Sequence, residues 1–177
     1  MPIMKPKVIW LTGLSGAGKS TIAQELAKTL KDKNCSVYVL DGDELRKSLC
    51  KDLGFSEADR KENIRRAGVL AKQLVNDGNI VIAALISPYE EDRQKVRSLI
   101  GEDRFVEVYI DTPLQVCIER DPKGLYAKAA NGEIKNFTGL DAPYEIPSNP
   151  GLTLNTQDNS ADQLVKIVIK HLNLVSD

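Results

Sequence analysis

Three cysteines in 177 residues are few, and Cys35, Cys50 and Cys117 are odd in number, far apart and outside any C-x-x-C pattern. That arrangement argues against a disulfide framework and a structural zinc site, and it fits a reducing, cytoplasmic compartment. Each cysteine reads as a small, partly buried apolar side chain. Long hydrophobic runs are missing as well. No uninterrupted apolar stretch approaches the roughly 20 residues that cross a bilayer, so no membrane insertion is expected. The opening MPIMKPKVIWLTG passes from a short polar start into an apolar run with no small-residue cleavage site, and reads as the approach to a first strand. Nor does charge of one sign prevail: 24 basic and 25 acidic residues leave a formal charge of -1, with no global electrostatic reason to hold a nucleic acid. Small anions bound locally stay open.

What is present is the composition of an ordinary globular protein, 42% hydrophobic and 28% charged, at a length that predicts one domain over residues 1–177 with a tail at 1–6. Read by period, strands and helices alternate. Residues 7–12 form a buried strand, residues 19–30 a helix with Ile22, Ala23, Leu26, Ala27 and Leu30 on one face, and CSVYVL a second buried strand. A second long helix starts at Ser56, which has capping-box spacing to Asp59, and turns Ile64, Ala67, Leu70, Ala71 and Leu74 inward. NIVIAALI (79–86) and FVEVYI (105–110) are further strands with a helical segment between them. LTLNT (152–156) is a last strand, and residues 161–174 a last helix with Leu164, Val165, Val168, Ile169 and Leu172 inward. The rhythm predicts an α/β fold in three layers, a parallel sheet flanked by helices, with ligands at the carboxyl ends of the strands. Residues 121–150 break it. Rich in Pro, Gly, Lys and Asn and too long for an ordinary connection, they read as a mobile lid.

GLSGAGKST, residues 13–21, follows the first strand and opens the first helix, and it fits the phosphate-cradling pattern G-x-x-x-x-G-K-[ST]. Its glycines let backbone N–H groups turn inward without a Cβ clash, so Gly13, Leu14, Ser15, Gly16, Ala17 and Gly18 surround phosphate oxygens at the positive end of the helix. Lys19 adds a charge on the β and γ phosphates of ATP, Ser20 a hydroxyl on Mg²⁺, and Thr21 reaches the α phosphate. Such a loop serves a kinase for a small molecule or a switch or motor whose hydrolysis drives a partner. A guanine-reading N-K-x-D is absent, and NIVIAALI leads into Ser87 where a motor strand ends in an acid.

The acids sit instead in DGDELR, where Asp41 and Asp43 can take the proton from an acceptor hydroxyl or hold Mg²⁺ through water; the plainer reading is an acidic cap of a helix. Arg46 lies three residues beyond Asp43. Arg60 and Asn63, one helical turn apart, prolong the inner stripe of their helix toward the site, and the two arginines favour an anionic acceptor over a neutral sugar. Phe55 and Phe137 stand outside any apolar period, either as core plugs or as platforms for a planar base.

GLSGAGKST, DGDELR, GFSEADRKENIRR, ISPY, DTPLQVC, RDPKGLY and FTGLDAPYE, in this order and at these intervals, resemble the adenylyl-sulfate kinase (APS kinase) family of P-loop kinases over nearly the whole chain from Val8 onward. DPKGLY and FTGLDAPYE are peculiar to that family. The resemblance implies transfer of the γ-phosphoryl group of ATP to the 3'-hydroxyl of adenosine 5'-phosphosulfate in sulfate assimilation, by a homodimer. It also implies that Asp43, Arg46, Arg60, Asn63, Ile86 and Ser87 line the acceptor pocket, with Phe55 and Phe137 around the adenine and Lys123 and Arg120 as lid contacts. Ser87 has been regarded in this family as a phosphoserine intermediate. The expectation here is in-line transfer with Lys19, Asp43 and Ser87 as the catalytic group, Asp43 orienting the acceptor hydroxyl and Ser87 hydrogen-bonding the substrate. Another small-molecule kinase of the same architecture would leave FTGLDAPYE unexplained. A non-catalytic ATP-dependent interaction module would leave the acids, arginines and aromatics without a use.

Overall fold

The computed structural model describes residues 5–172; residues 1–4 of the expected tail and the last two residues of the helix expected over 161–174 lie outside the described residues. Five strands, β1 (Val8–Thr12), β2 (Val37–Asp41), β3 (Ile80–Ala84), β4 (Phe105–Ile110) and β5 (Leu152–Leu154), pair in parallel in the order β2-β3-β1-β4-β5. The helices are α1 (Lys19–Asp32), α2 (Gly42–Lys47), α3 (Glu57–Asn76), α4 (Glu90–Ile100), α5 (Leu114–Arg120), α6 (Leu125–Ala130) and α7 (Ala161–Leu172). The continuous apolar runs VIWLT and IVIAA are buried at every residue, as strands covered on both faces must be.

Side-chain alternation along each strand divides the core into two layers. Ile9, Leu11, Ile80, Ile82 and Val108 meet the apolar faces of α1 and α7. Val8, Trp10, Val81, Ala83 and Phe105 meet α3 and α4 on the other side, with the Trp10 and Phe105 rings 6.0 Å apart. The three-layer α/β architecture read from the alternation is thus the one observed.

Three local expectations change. CSVYVL reads as buried on both faces, yet β2 is an edge strand in which Val37 and Leu40 point inward while Tyr38 and Val39 are exposed. An apolar run alone does not reveal that a strand lacks a second neighbour. In α3, Ser56 caps the helix by accepting the Asp59 N–H at 3.1 Å, and Ile64, Ala67 and Ala71 are buried, but Leu70 and Leu74 are only partly covered. Gly68 and Val75 complete the buried face because α3 packs on α4 as well as on the sheet. Third, the stretch 121–150 contains α6, whose one buried residue, Tyr126, gives no period to read. Beyond it, the Asp141 carboxylate accepts the N–H groups of Asn136 and Phe137 at 2.7 and 2.6 Å and closes 136–142 into a turn.

The α3–α4 contact is close: a Cβ on Gly68 would stand 2.9 Å from Val96 Cγ2. Alanine in a helix interior is favoured over glycine by about 1 kcal/mol, whereas overpacking between buried helices costs about 1–3 kcal/mol. Gly68→Ala is therefore expected to lower the urea midpoint. In a chain that also carries Val96→Ala, the same substitution is expected to raise the midpoint relative to Val96→Ala alone.

Candidate active site

The carboxyl ends of β1, β2 and β3 open onto one cavity of about 800 Å³. Its floor is the loop after β1. Gly16 and Gly18 have φ of 77° and 110°, where a side chain is strained, and a Cβ on Gly13 would stand 2.9 Å from the Ile110 carbonyl oxygen. Gly18 offers no side-chain cap to α1, so the first-turn N–H groups are available to an anion at the positive end of the helix. The loop is braced from behind. Tyr126 Oη donates to the Ser15 carbonyl at 2.7 Å and Thr156 Oγ1 to the Ala17 carbonyl at 2.6 Å. Arg120 in turn donates to Thr156 Oγ1 at 2.8 Å and to its carbonyl at 3.1 Å.

Lys19 is buried, and its Nζ donates to the carbonyls of Gly13 and Leu14 at 2.9 and 2.7 Å. Burial pulls its pKa down to about 8, against the pull of the nearby carboxylates of Asp41 and Asp43. Ser20 Oγ donates to Asp41 Oδ2 at 2.7 Å, and Asp41 Oδ1 accepts the Asp43 N–H at 2.9 Å as the cap of α2. Thr21 is exposed at the mouth of the cavity. A hydroxyl and a carboxylate side by side next to a phosphate loop are hard oxygen donors of the kind Mg²⁺ takes when phosphate oxygens and water complete its shell. The described residues hold no cluster of three or more His, Cys, Asp or Glu side chains that would bind a metal by themselves.

At the other end of the cavity the expected acceptor residues come together. Arg46 lies over the Phe55 ring at 4.3 Å and donates to the Gly54 carbonyl at 2.9 Å. Arg60 lies 5.6 Å from the same ring, donates to the Phe55 carbonyl at 3.0 Å, and reaches across to the Asn136 carbonyl. Burial lowers the pKa of both guanidiniums. Phe137 is buried edge-on against Tyr126, with ring centroids 4.9 Å apart, whereas Phe55 is half exposed at the rim; both line the cavity. Lys123 forms an ion pair with Asp43. Asn63 and Thr138 line the same space, and Asn63 Oδ1 and Thr138 Oγ1 are buried without a hydrogen-bond partner within the chain. Such atoms can hydrogen-bond a polar ligand or a water held in the cavity.

Ser87 sits just past β3 at φ 43°, strained for any residue but glycine. Its hydroxyl accepts from Trp10 Nε1 at 3.0 Å and donates to the Leu85 carbonyl at 3.1 Å. Ile86 lines the cavity beside it, its carbonyl accepting from Thr12 Oγ1 at 2.7 Å. Arg120 lies on the phosphate-loop side, where besides Thr156 its Nη1 donates to the Gly16 and Ala17 carbonyls at 3.3 and 3.4 Å. Thr12, Thr138, Thr156, Tyr144 and Arg93 went unread in the sequence. A threonine ending a strand and an arginine within a charged helix carry no periodic signal, and FTGLDAPYE marked Thr138 and Tyr144 only as part of a block.

A family model described as adenylylsulphate kinase matches residues 5–155. An adenylyl-sulfate kinase of Vibrio vulnificus is 52% identical over 170 residues, 96% of this chain and 82% of its own length. One of Pseudomonas aeruginosa is 53% identical over 168 residues, 95% of this chain and 86% of its own. The structure of the Mycobacterium tuberculosis APS kinase CysC in complex with AMPPNP and APS superposes with a TM-score of 0.92 at 49% identity, covering 96% of this chain and 98% of that one. With the phosphate loop and the facing arginine–phenylalanine group on one fold, and likeness of this depth along nearly all of it, the chain belongs to the adenylyl-sulfate kinase family.

Proposed function

We propose that this chain transfers the γ-phosphoryl group of ATP to the 3'-hydroxyl of adenosine 5'-phosphosulfate, giving 3'-phosphoadenosine 5'-phosphosulfate and ADP. The observation that carries this reading is a single cavity with a phosphate loop and Lys19 at one end and Arg46, Arg60, Phe55 and Phe137 at the other. A triphosphate held at the first end presents its γ phosphate toward the second, where an anion with a planar base finds guanidiniums and aromatic rings. ADP release by the purified chain with Mg-ATP is expected with adenosine 5'-phosphosulfate and not with AMP, shikimate or no acceptor. Release independent of the phosphosulfate would overturn the assignment.

In-line transfer needs two oxygens aligned on phosphorus and charge stabilisation around it. The loop N–H groups and Lys19 supply the charge, Asp43 orients the acceptor hydroxyl, and Lys123 places a cation beside it. Ser20 and Asp41 would hold Mg²⁺, which when bound neutralises phosphate charge. Ser87 donates its proton to a carbonyl and so lacks the base that would make it a nucleophile, but its oxygen can still accept a hydrogen bond from substrate. Ser87→Ala is therefore expected to keep kcat within about tenfold, the scale of one lost hydrogen bond. Kinetically competent phospho-Ser87, trapped by rapid quench, would refute the direct route.

Lys19 gives the reaction a pH dependence. Phosphate is held by the protonated amine, which in the free protein persists only below about 8. The charge of bound triphosphate favours the protonated form and raises that limit. The expected outcome is an alkaline limb in kcat/KM for ATP with a midpoint near 8, and a limb in kcat displaced to higher pH. Coincident limbs would assign the titration to another group.

A further inference from the structure

Arg93, in α4, is fully buried and does not line the cavity. Its guanidinium nevertheless touches both segments that shape the acceptor end. Nη1 donates to the Ser87 carbonyl at 2.6 Å, and Nη2 donates to the Glu145 carbonyl at 2.6 Å and to Glu90 Oε2 at 2.5 Å. Nε lies 3.2 Å from Glu107 Oε2, also fully buried, and Arg97 approaches the second oxygen of that carboxylate at 3.5 Å. The carboxylates of Glu107 and Glu90 both face the guanidinium and offset its charge in the interior.

The segment held through Glu145 is a strap. The Glu145 N–H donates to the Pro88 carbonyl at 2.8 Å, its carboxylate accepts the Glu90 N–H at 3.0 Å, and Ser148 Oγ donates to Glu90 Oε1 at 3.0 Å. One residue earlier, the Tyr144 hydroxyl bonds Thr12 Oγ1 at 2.9 Å, and its ring lies 5.8 Å from the Arg93 guanidinium. The strap runs back through Asp141, whose carboxylate fixes Asn136 and Phe137. A single planar cation thus bonds the turn that carries Ser87 and the strap that leads to Phe137. It makes no hydrogen bond to the phosphate loop.

We propose that Arg93, braced by Glu107, is a positioning residue for the acceptor, fixing the Ser87 turn and the Phe137 strap relative to each other so that the acceptor end of the cavity is formed before substrate arrives. This rests on assigning that end to adenosine 5'-phosphosulfate. A lysine cannot replace it, because an ammonium lacks the fork that reaches two carbonyls on different segments. The role separates the two substrates: losing it loosens the acceptor walls and leaves the nucleotide loop as it is.

The test compares wild type with Arg93→Lys, Glu107→Gln and Glu145→Ala, measuring KM for each substrate and the emission of Trp10. Trp10 is the one tryptophan of the chain and bonds Ser87 Oγ directly. The expected result is a rise of about tenfold in KM for adenosine 5'-phosphosulfate, the effect of losing one charge-assisted hydrogen bond, with KM for ATP changed by less than about twofold. Trp10 emission is expected to shift in Arg93→Lys before any substrate is added. Should Arg93→Lys not fold, Glu107→Gln, which keeps the Arg93 side chain and removes the carboxylate charge beside its Nε, carries the same expectation at about threefold. Equal rises for both substrates, or folded variants with unchanged KM values and unchanged emission, would overturn the proposal. If wild type fails to use the phosphosulfate, the functional reading falls, and the emission shift still decides the positioning role.

Discussion

Register along three parallel strands is the constraint on which the site depends. β1 pairs with β3 so that Leu11 stands beside Ala84, and β3 pairs with β2 so that Ala84 stands beside Asp41. The three strands therefore end level with one another, and the phosphate loop, the Ser87 turn and the Asp41 cap leave the sheet from a single edge. The 2.7 Å contact between Ser20 and Asp41 follows from that alignment. A slip of one residue would exchange the two core layers and part these groups together, so packing of the apolar faces holds the chemistry in register.

Within that frame, the cations of the cavity are held mainly by carbonyl dipoles. Lys19 bonds Gly13 and Leu14, Arg46 bonds Gly54, and Arg60 bonds Phe55 and Asn136, all through main-chain oxygens. A carbonyl fixes the direction of a cation without cancelling its charge. An incoming polyanion thus meets charge that is already oriented and partly desolvated, which is how preorganised electrostatics gain over water. Lys123 differs, since it pairs with Asp43 and brings its loop across the cavity. Burial of Lys19 makes the same point from the other side: an amine whose charge is disfavoured in the free protein gains most from the arrival of phosphate.

Much of this was legible in the chain because the physics is local. Residues 13–21 carry their glycines, lysine and serine at fixed spacing, and the strand runs VIWLT and IVIAA state their burial on both faces. Arg60 and Asn63 could be placed because the inner stripe of α3 extends to them, and both are buried at the cavity wall. What could not be read was set by tertiary neighbours. β2 became an edge, α3 rotated toward α4 at Gly68, and α6 formed on one buried tyrosine. Arg93 and Glu107 lie 14 positions apart on different elements, and neither the charge pattern of α4 nor the alternation in FVEVYI pairs them.

That pair also shows why a costly interaction persists in a core. Burying a guanidinium and a carboxylate is expensive, and two apolar side chains of similar volume often serve stability as well or better. They could not, however, answer the polar groups that the irregular segments leave inside. A turn at φ 43° and a strap outside helix and sheet present carbonyls of Ser87 and Glu145 with no ladder to receive them, and a buried carbonyl without a donor is itself destabilising. One guanidinium supplies donors to both, and Glu107 and Glu90 together offset its charge. The buried ion pair is thus a consequence of building that end of the cavity from irregular backbone, which in turn is what brings Ser87 and Phe137, from different parts of the chain, to the wall of one cavity.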